Sequence, residues 1–93
     1  MPSATAYPSL EFTDTFLEDY AGRRFSAAER QRIRRALHLL DTNEQHPSLR
    51  VHQLHGDAEG SWSVSASDQL RVTFRRLESG RKRLLTCTRH YQR

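Results

Sequence analysis

The fold is decided by residues 61–77, which read SWSVSASDQLRVTFRRL. Apolar and polar residues alternate on both sides of the corner at 67–69, a pattern typical of two β-strands joined by a short turn. Short connections join antiparallel neighbours, so the stretch predicts a hairpin of residues 61–67 and 70–77. Successive side chains of a strand point to opposite faces, and the hairpin therefore has one apolar face and one polar face.

The same period of two continues on both sides of this hairpin. Residues 49–55 and 83–89 also alternate and predict two further strands. The apolar positions of the four strands can all point one way, and they form the predicted core face: Leu49, Val51, Trp62, Val64, Ala66, Leu70, Val72, Phe74, Leu85 and Cys87. The predicted polar face collects Arg50, His52, Ser63, Ser65, Arg71, Thr73, Arg75, Thr86, Thr88 and His90. These four strands bring no carboxylate to that face.

Upstream of the strands, the period changes to that of an α-helix. Residues 9–12 predict a short strand, and residues 14–22 carry apolar side chains at helical spacing and predict a first helix. The motif SAAE at 26–29 has the form of a capping box and predicts the start of a second helix, which cannot continue through Pro47. The predicted class is α+β: an N-terminal strand and a two-helix hairpin packed on a mostly antiparallel sheet of four to five strands.

Length and composition limit the organisation and the location of the chain. Its 93 residues allow one domain, residues 1–93, and we predict that residues 1–8 form a flexible N-terminus. That N-terminus lacks the basic start and apolar run of a signal peptide, and no apolar stretch approaches the ~18 residues of a membrane span. Cys87 is the only cysteine, which excludes an internal disulfide and predicts a cytoplasmic location.

Positive charge is concentrated in the second half of the chain. Residues 1–46 carry six basic and seven acidic residues, net −1, whereas residues 47–93 carry nine basic and four acidic residues, net +5. All basic residues except Lys82 are arginines, which bind phosphate in a bidentate way. The second half therefore predicts a polyanionic partner, and a solvated arginine-rich surface remains the alternative.

Metal and thiol chemistry are not predicted. His52 and His55 are three residues apart, as are Cys87 and His90, and residues at that spacing face opposite sides of a strand. We therefore predict no metal site and no cofactor. Cys87 is expected to point inward as a small apolar residue, which makes it a poor nucleophile.

Cleavage of RNA without a metal ion suits the polar face better. The 2'-OH of RNA is the nucleophile, so the protein must remove its proton, stabilise the phosphorane and protonate the leaving 5' oxygen. We predict His90 as a general acid or base, and Arg71 and Arg75 as phosphate ligands. His52 is catalytic or a structural sheet histidine, and Tyr91 stacks a base, assists proton transfer or only packs. The further predicted phosphate-binding residues are Arg50, Arg76, Arg89 and His55.

The alternative to phosphate binding by Arg71 and Arg75 is a surface salt bridge from these arginines to Asp68 or Glu78.

Four short motifs follow one another in the second half of the chain. They are LRVHQLHG at 49–56, GSWSV at 60–64, LRVTF at 70–74 and RHY at 89–91. In this order and spacing they resemble the RelE/ParE toxin superfamily of type II toxin–antitoxin systems, including its RelE-, YoeB- and HigB-like mRNA interferases. The resemblance extends over residues 9–91 in element order, and it implies the RelE-like microbial RNase fold.

The resemblance also implies an activity and partners. The catalytic members are ribosome-dependent endoribonucleases that cut mRNA, and their partners are a cognate acidic antitoxin, the ribosome and mRNA. Arg71 would match their transition-state arginine, His90 and Tyr91 their terminal catalytic pair, and His52 a histidine that some members carry on the second strand. Some relatives use a glutamate base before the second strand, where this chain offers only Glu44, so the general base stays open.

Two other functions remain possible from the sequence. A ParE-like toxin inhibits DNA gyrase without catalysis, but such relatives typically lack the terminal histidine that His90 would supply. A basic nucleic-acid-binding module without activity is the third possibility.

Overall fold

The structure is a computed structural model, and it describes residues 6–22, 25–56 and 60–89. Its elements are β1 (Leu10–Phe12), α1 (Asp14–Ala21), α2 (Ala27–Thr42), a 3-10 helix (Pro47–Leu49), β2 (His52–Gln53), β3 (Trp62–Ser65), β4 (Leu70–Arg76) and β5 (Lys82–Arg89). The predicted α+β class and the order of strand, two helices and strands are confirmed.

All five strands form one sheet in the order β1-β5-β4-β3-β2. β1 pairs with β5 in parallel, and the other neighbours are antiparallel. Helix α1 contacts β5 and helix α2 contacts β4, so both helices cover the same side of the sheet, the helix side. We call the uncovered side the open face, and it is lined by Glu11, His52, Ser63, Ser65, Arg71, Thr73, Arg75, Arg83, Thr86 and Thr88.

Side-chain caps start both helices. Thr13 Oγ1 accepts a hydrogen bond from the Phe16 amide at 3.1 Å, which begins α1. The predicted capping box of α2 is present: Ser26 Oγ accepts from the Glu29 amide at 3.1 Å, and Glu29 Oε1 accepts from the Ser26 amide at 2.9 Å. These bonds satisfy amide groups that would otherwise lack a partner at a helix start.

The core lies between α2 and the sheet. The apolar side chains of α2 are buried, and they pack with side chains from every strand except β2: Leu10, Ile33, Ala36, Leu37, Leu40, Val64, Val72, Phe74 and Leu84. Trp62 packs partly buried against this core, with its ring 6.4 Å from that of Phe74. The predicted core face of β3 and β4 is therefore confirmed.

Strand β5 contains a β-bulge that the sequence does not reveal. Thr73 pairs with Thr86 but Phe74 pairs with Leu84, so Leu85 is an extra residue on β5. Leu84 is fully buried and Leu85 is partly exposed. The prediction that Leu85 points into the core is wrong, because the extra residue reverses the alternation for the earlier part of the strand.

The second predicted strand is much shorter than residues 49–55. Residues Pro47–Leu49 form a 3-10 helix instead, and Arg50 follows it with φ 48° and ψ 48°, in the left-handed region. Pairing begins only at His52. Leu49 is nevertheless buried as predicted, because the 3-10 turn directs it into the core.

One carboxylate lies on the open face, contrary to the expectation from four strands. The register of β1 with β5 places Glu11 beside Arg83. Its Oε1 accepts from Arg83 Nε at 3.2 Å, and its Oε2 accepts from Arg81 Nη1 at 3.1 Å. The expectation failed because it left out β1, whose Glu11 pairs with Arg83, 72 residues away in the sequence.

The N-terminal segment is packed from its second half onward. Residues 1–5 of the segment predicted to be flexible lie outside the described residues. Tyr7 is buried, and its ring centroid lies 5.8 Å from that of Phe12. None of the helices in the described ranges combines the length and apolar composition that a membrane span requires.

Candidate functional site

Pairing between strands arranges the open face in three rows. The middle row contains His52, Ser63, Thr73 and Thr86. The row on one side contains Ser65, Arg71 and Thr88, and the row on the other side contains Arg75, Arg83 and Glu11. Arg71 and Arg75 therefore flank the row to which His52 belongs.

The Arg71 side chain is held at one end and open at the other. Its Nη1 donates to the carbonyl oxygens of Ser67 at 2.8 Å and Leu70 at 3.1 Å. Within the described parts of the chain, its Nε and Nη2 have no acceptor, and Arg71 forms no ion pair with Asp68 or Glu78. Arg71 therefore does not have the alternative role of a salt-bridge partner of Asp68 or Glu78. A guanidinium fixed in this way is oriented to donate two hydrogen bonds to a phosphate.

Arg75 lies beside Gly60. A side chain at Gly60 would place its Cβ 3.0 Å from Arg75 Nη1, and the φ of this glycine is +89°. The missing side chain thus makes room for the guanidinium. Arg75 is exposed, and among the described residues it has no ion-pair partner. It remains free to bind an anion.

His52 has one ring nitrogen engaged. Its Nδ1 lies 2.9 Å from the carbonyl oxygen of Arg50, and its side chain is exposed. A carbonyl oxygen can only accept a hydrogen bond, so Nδ1 must carry the proton. In the neutral ring Nε2 then has the lone pair and can accept a proton.

The face can bring guanidinium and imidazole groups to one nucleotide. His52 and Arg71 are two strands apart and two residues apart along the strand, which corresponds to ~12 Å between Cα atoms. Both side chains are long enough to reach toward a phosphate between them. His90 and Tyr91 lie outside the described residues, so the structure does not test their predicted place beside Arg71.

Arg76 lies on the helix side, away from Arg71. Its Nη2 and Nη1 donate to the two carboxylate oxygens of Glu44 at 2.7 and 3.2 Å, and its guanidinium carbon lies 4.4 Å from the centre of the Trp62 ring. Such stacking and bidentate pairing fix the side chain. The structure does not bring Arg76 to the open face, where a phosphate role would place it.

Arg89 also lies on the helix side. Its Nη2 donates to Glu29 Oε1 at 2.6 Å, and its guanidinium carbon lies 5.3 Å from the centre of the Phe25 ring. The hydrogen bond from Arg89 lowers the pKa of the Glu29 carboxyl. This pair joins the end of β5 to the start of α2, and Arg89 is not among the residues that the structure gathers around Arg71.

Glu44 does not supply a base to the open face. It lies on the helix side, where Arg76 and Lys82 both contact it, the Lys82 Nζ at 3.3 Å. The hydrogen bond from Arg76 lowers the pKa of the Glu44 carboxyl. A carboxylate held ionised by two cations is a weak proton acceptor.

The ion pairs of Glu44 with Arg76 and Lys82 make a contribution to stability that is lost in acid. A lowered pKa in the folded state stabilises the protein above the ordinary carboxyl pKa, and that contribution is lost as the pH falls through the folded value. We expect Glu44→Gln to reduce the free energy of unfolding by about 1–2 kcal/mol at pH 7. The buried Lys82 loses its carboxylate partner, whereas the exposed Arg76 loses less because water solvates it. Urea unfolding at pH 7 and pH 3 measures this, and an equal loss at both values would contradict it.

Arg50 and His55 do not belong to the rows of the open face. The exposed Arg50 side chain lines a groove of about 410 Å³ together with Arg35 and residues 65–68. His55 is exposed beyond the end of β2, next to Gly56. Phosphate binding by these two residues stays a prediction.

Cys87 is buried as predicted. Burial, followed by the nearby Asp19 carboxylate, raises the pKa of the Cys87 thiol to about 12. Asp19 Oδ2 also accepts from the Cys87 amide at 3.0 Å. The group is a neutral thiol near pH 7, so it does not act as a nucleophile.

Arg83, like Glu11, lies on the open face although the sequence pattern does not predict it there. It lies next to Arg75 because of the bulge at Leu85, and strict alternation assigns it to the helix side. The basic run at 81–83 after Gly80 was the available signal, but it did not identify the face.

Comparisons with known proteins relate this geometry to solved structures. No family model and no curated protein matches the sequence. The YoeB/ParE toxin from Agrobacterium tumefaciens is similar over 89% of this chain and 99% of its own, with 25% identity and a TM-score of 0.65. The YoeB-YefM complex from Staphylococcus aureus matches at 18% identity over 88% of this chain and 95% of that one, with a TM-score of 0.67.

YafQ from E. coli strain BL21(DE3) shares the fold at 15% identity, over 86% of this chain and 90% of its own, with a TM-score of 0.69. These three matches cover 86% to 89% of this chain. The chain therefore has the fold of these toxins, which agrees with the resemblance of its motifs to the RelE/ParE superfamily.

Proposed function

We propose that this protein is the toxin of a type II toxin–antitoxin system and a ribosome-dependent mRNA endonuclease. The observation that carries the proposal is that Arg71 and His52 lie on the same face of the sheet. The Arg71 guanidinium is held through Nη1, and His52 is held through Nδ1, which leaves its Nε2 to accept a proton. Toxins with the same fold, and the family that the motifs resemble, support it.

The proposed reaction needs no metal ion. His52 Nε2 takes the proton of the 2'-OH, and the 2' oxygen attacks the adjacent phosphorus. Arg71 stabilises the charge that develops on the phosphorane oxygens, with Arg75 as a second phosphate ligand. His90 donates a proton to the 5' oxygen as its bond to phosphorus breaks, and Tyr91 assists there or stacks on a base. The products are a 2',3'-cyclic phosphate and a 5'-hydroxyl.

The proposed partners follow from charge and from the relatives. Arg71, Arg75 and Arg83 leave the open face positive despite Glu11, which suits both RNA and an acidic antitoxin. Solved structures with this fold include the YoeB-YefM complex and the DinJ-YafQ toxin-antitoxin complex of E. coli. We propose a cognate acidic antitoxin that covers this face, in the cytoplasm.

The test combines purified ribosomes, a defined mRNA and the wild-type protein. We expect cuts at mapped positions on ribosome-bound mRNA, with 2',3'-cyclic phosphate ends, and little cleavage of the same RNA when it is free. Primer extension on cellular mRNA after induced expression checks the same result in cells. A parallel gyrase supercoiling assay covers the ParE-like alternative. Inhibition of supercoiling without any mRNA cleavage would overturn the proposal.

A further inference from the structure

Arg50 has an unusual backbone conformation directly before the candidate base. Its φ of 48° is the one positive φ among the described residues other than glycine. A side chain disfavours this region, and arginine has no local bond to compensate, unlike asparagine. An unfavourable conformation beside a candidate site is a reason to ask what it achieves.

The conformation directs the Arg50 carbonyl at His52. The residue follows the last turn of the 3-10 helix, where its amide donates to the Pro47 carbonyl at 3.3 Å. The chain then turns in the left-handed region before β2 begins. The result is a carbonyl oxygen 2.9 Å from His52 Nδ1.

This contact selects one tautomer of the ring. An exposed neutral imidazole can carry its proton on either nitrogen. The Arg50 oxygen accepts only from Nδ1–H, which leaves the lone pair on Nε2, the nitrogen that faces away from the backbone. It also restrains the rotation of the ring, as a carbonyl partner does for other functional histidines.

We propose that Arg50 is a positioning residue whose backbone carbonyl holds His52 in the tautomer with a free Nε2. This inference rests on the proposed nuclease function for its consequence but not for its structural test. It assigns to the backbone of Arg50 a role that is separate from the phosphate contact predicted for its side chain.

Two substitutions separate backbone from side chain, because both remove the guanidinium. Arg50→Gly accepts a positive φ, whereas Arg50→Val has a branched Cβ that opposes it. We expect Arg50→Gly to keep the Nδ1–H tautomer of His52 and Arg50→Val to lose it. The readout is the pair of ring ¹⁵N chemical shifts of His52, with the exposed His55 ring as an internal control that should not change.

The kinetic expectation follows the same division. Both variants raise KM equally if the guanidinium contacts RNA, and only Arg50→Val lowers kcat, by about 10-fold to 100-fold. A shared loss of kcat in both variants would assign the effect to the guanidinium and overturn the inference. So would an unchanged His52 tautomer in Arg50→Val.

A folding control keeps the test decisive. If Arg50→Val does not fold, Arg50→Asn and Arg50→Ala replace the pair, because asparagine tolerates the left-handed region better than alanine. The NMR result also stands apart from the nuclease assay. An inactive wild-type protein with His52 in the Nδ1–H form would refute the proposed function and leave the role of the carbonyl intact.

Discussion

Replacing Arg71 by alanine is expected to lower kcat/KM for mRNA cleavage by about 10²-fold to 10³-fold. The reason is that Arg71 is the proposed donor to the phosphorane oxygens, and removal of one pre-oriented donor to developing charge has an effect of this size. The measurement is single-turnover cleavage of ribosome-bound mRNA. The fold should survive, because the two contacts that Arg71 makes are to carbonyl oxygens at the end of a hairpin.

A matched control comes from the same face. Arg83→Ala also removes one arginine from the open face, but the Arg83 side chain already donates through Nε to Glu11 Oε1 at 3.2 Å. We expect the Arg83→Ala variant to cleave within about 3-fold of the wild-type rate, because salt screens the long-range attraction between an exposed positive charge and RNA. Equal losses in Arg71→Ala and Arg83→Ala would mean that overall charge, not a directed contact, binds the RNA. Urea unfolding of both variants shows whether the sheet is still folded.

The bulge in β5 predicts opposite outcomes for two adjacent leucines. Leu84→Ala is expected to reduce the free energy of unfolding by about 3 kcal/mol, because it leaves a cavity at a fully buried position. Leu85→Ala should cost about 1 kcal/mol or less, since that side chain is partly exposed. Urea unfolding of the two variants in the same buffer gives the comparison.

The residue change is identical in both variants, so differences in the unfolded chain largely cancel. A larger loss for Leu85→Ala would mean that β5 keeps strict alternation and that no bulge is present. It would also return Arg83 to the helix side and remove the basis of the Arg83 control.

Periodicity was sufficient to predict the elements whose side chains repeat without interruption. The hairpin at 61–77, the capping box at 26–29 and the α+β class follow from local patterns that the tertiary structure preserves. Arg71 was assigned to the correct face for the same reason, since β4 has regular alternation over Leu70–Arg76.

The errors come from interactions that no local pattern encodes. The bulge at Leu85 depends on how β5 pairs with its neighbours in the sheet. Glu11 lies on the open face because β1 pairs with β5, which is far away in the sequence. Arg76 and Arg89 look like phosphate ligands by residue type. Their partners Glu44 and Glu29 become neighbours only when the helices pack on the sheet.

The conformation of Arg50 belongs to the same group. Leu49-Arg50-Val51-His52 alternates like a strand, and nothing in that run predicts a left-handed residue. A 3-10 helix, Pro47–Leu49, forms where the strand was predicted to begin, and it places the Leu49 side chain in the core. The sequence therefore singled out His52 as a catalytic or a structural histidine and left the general base open, and it gave no sign of the carbonyl group that contacts the His52 ring.

The position of β5 between β1 and β4 has a consequence for biosynthesis. β5 is the last strand to be translated, yet β1 and helix α1 both rest on it. A nascent chain can form the β3–β4 hairpin early, but its first strand waits for a partner until β5 has left the ribosome. Arg83 of β5 therefore joins Arg75 on the open face only after the hairpin of β3 and β4 has been synthesised.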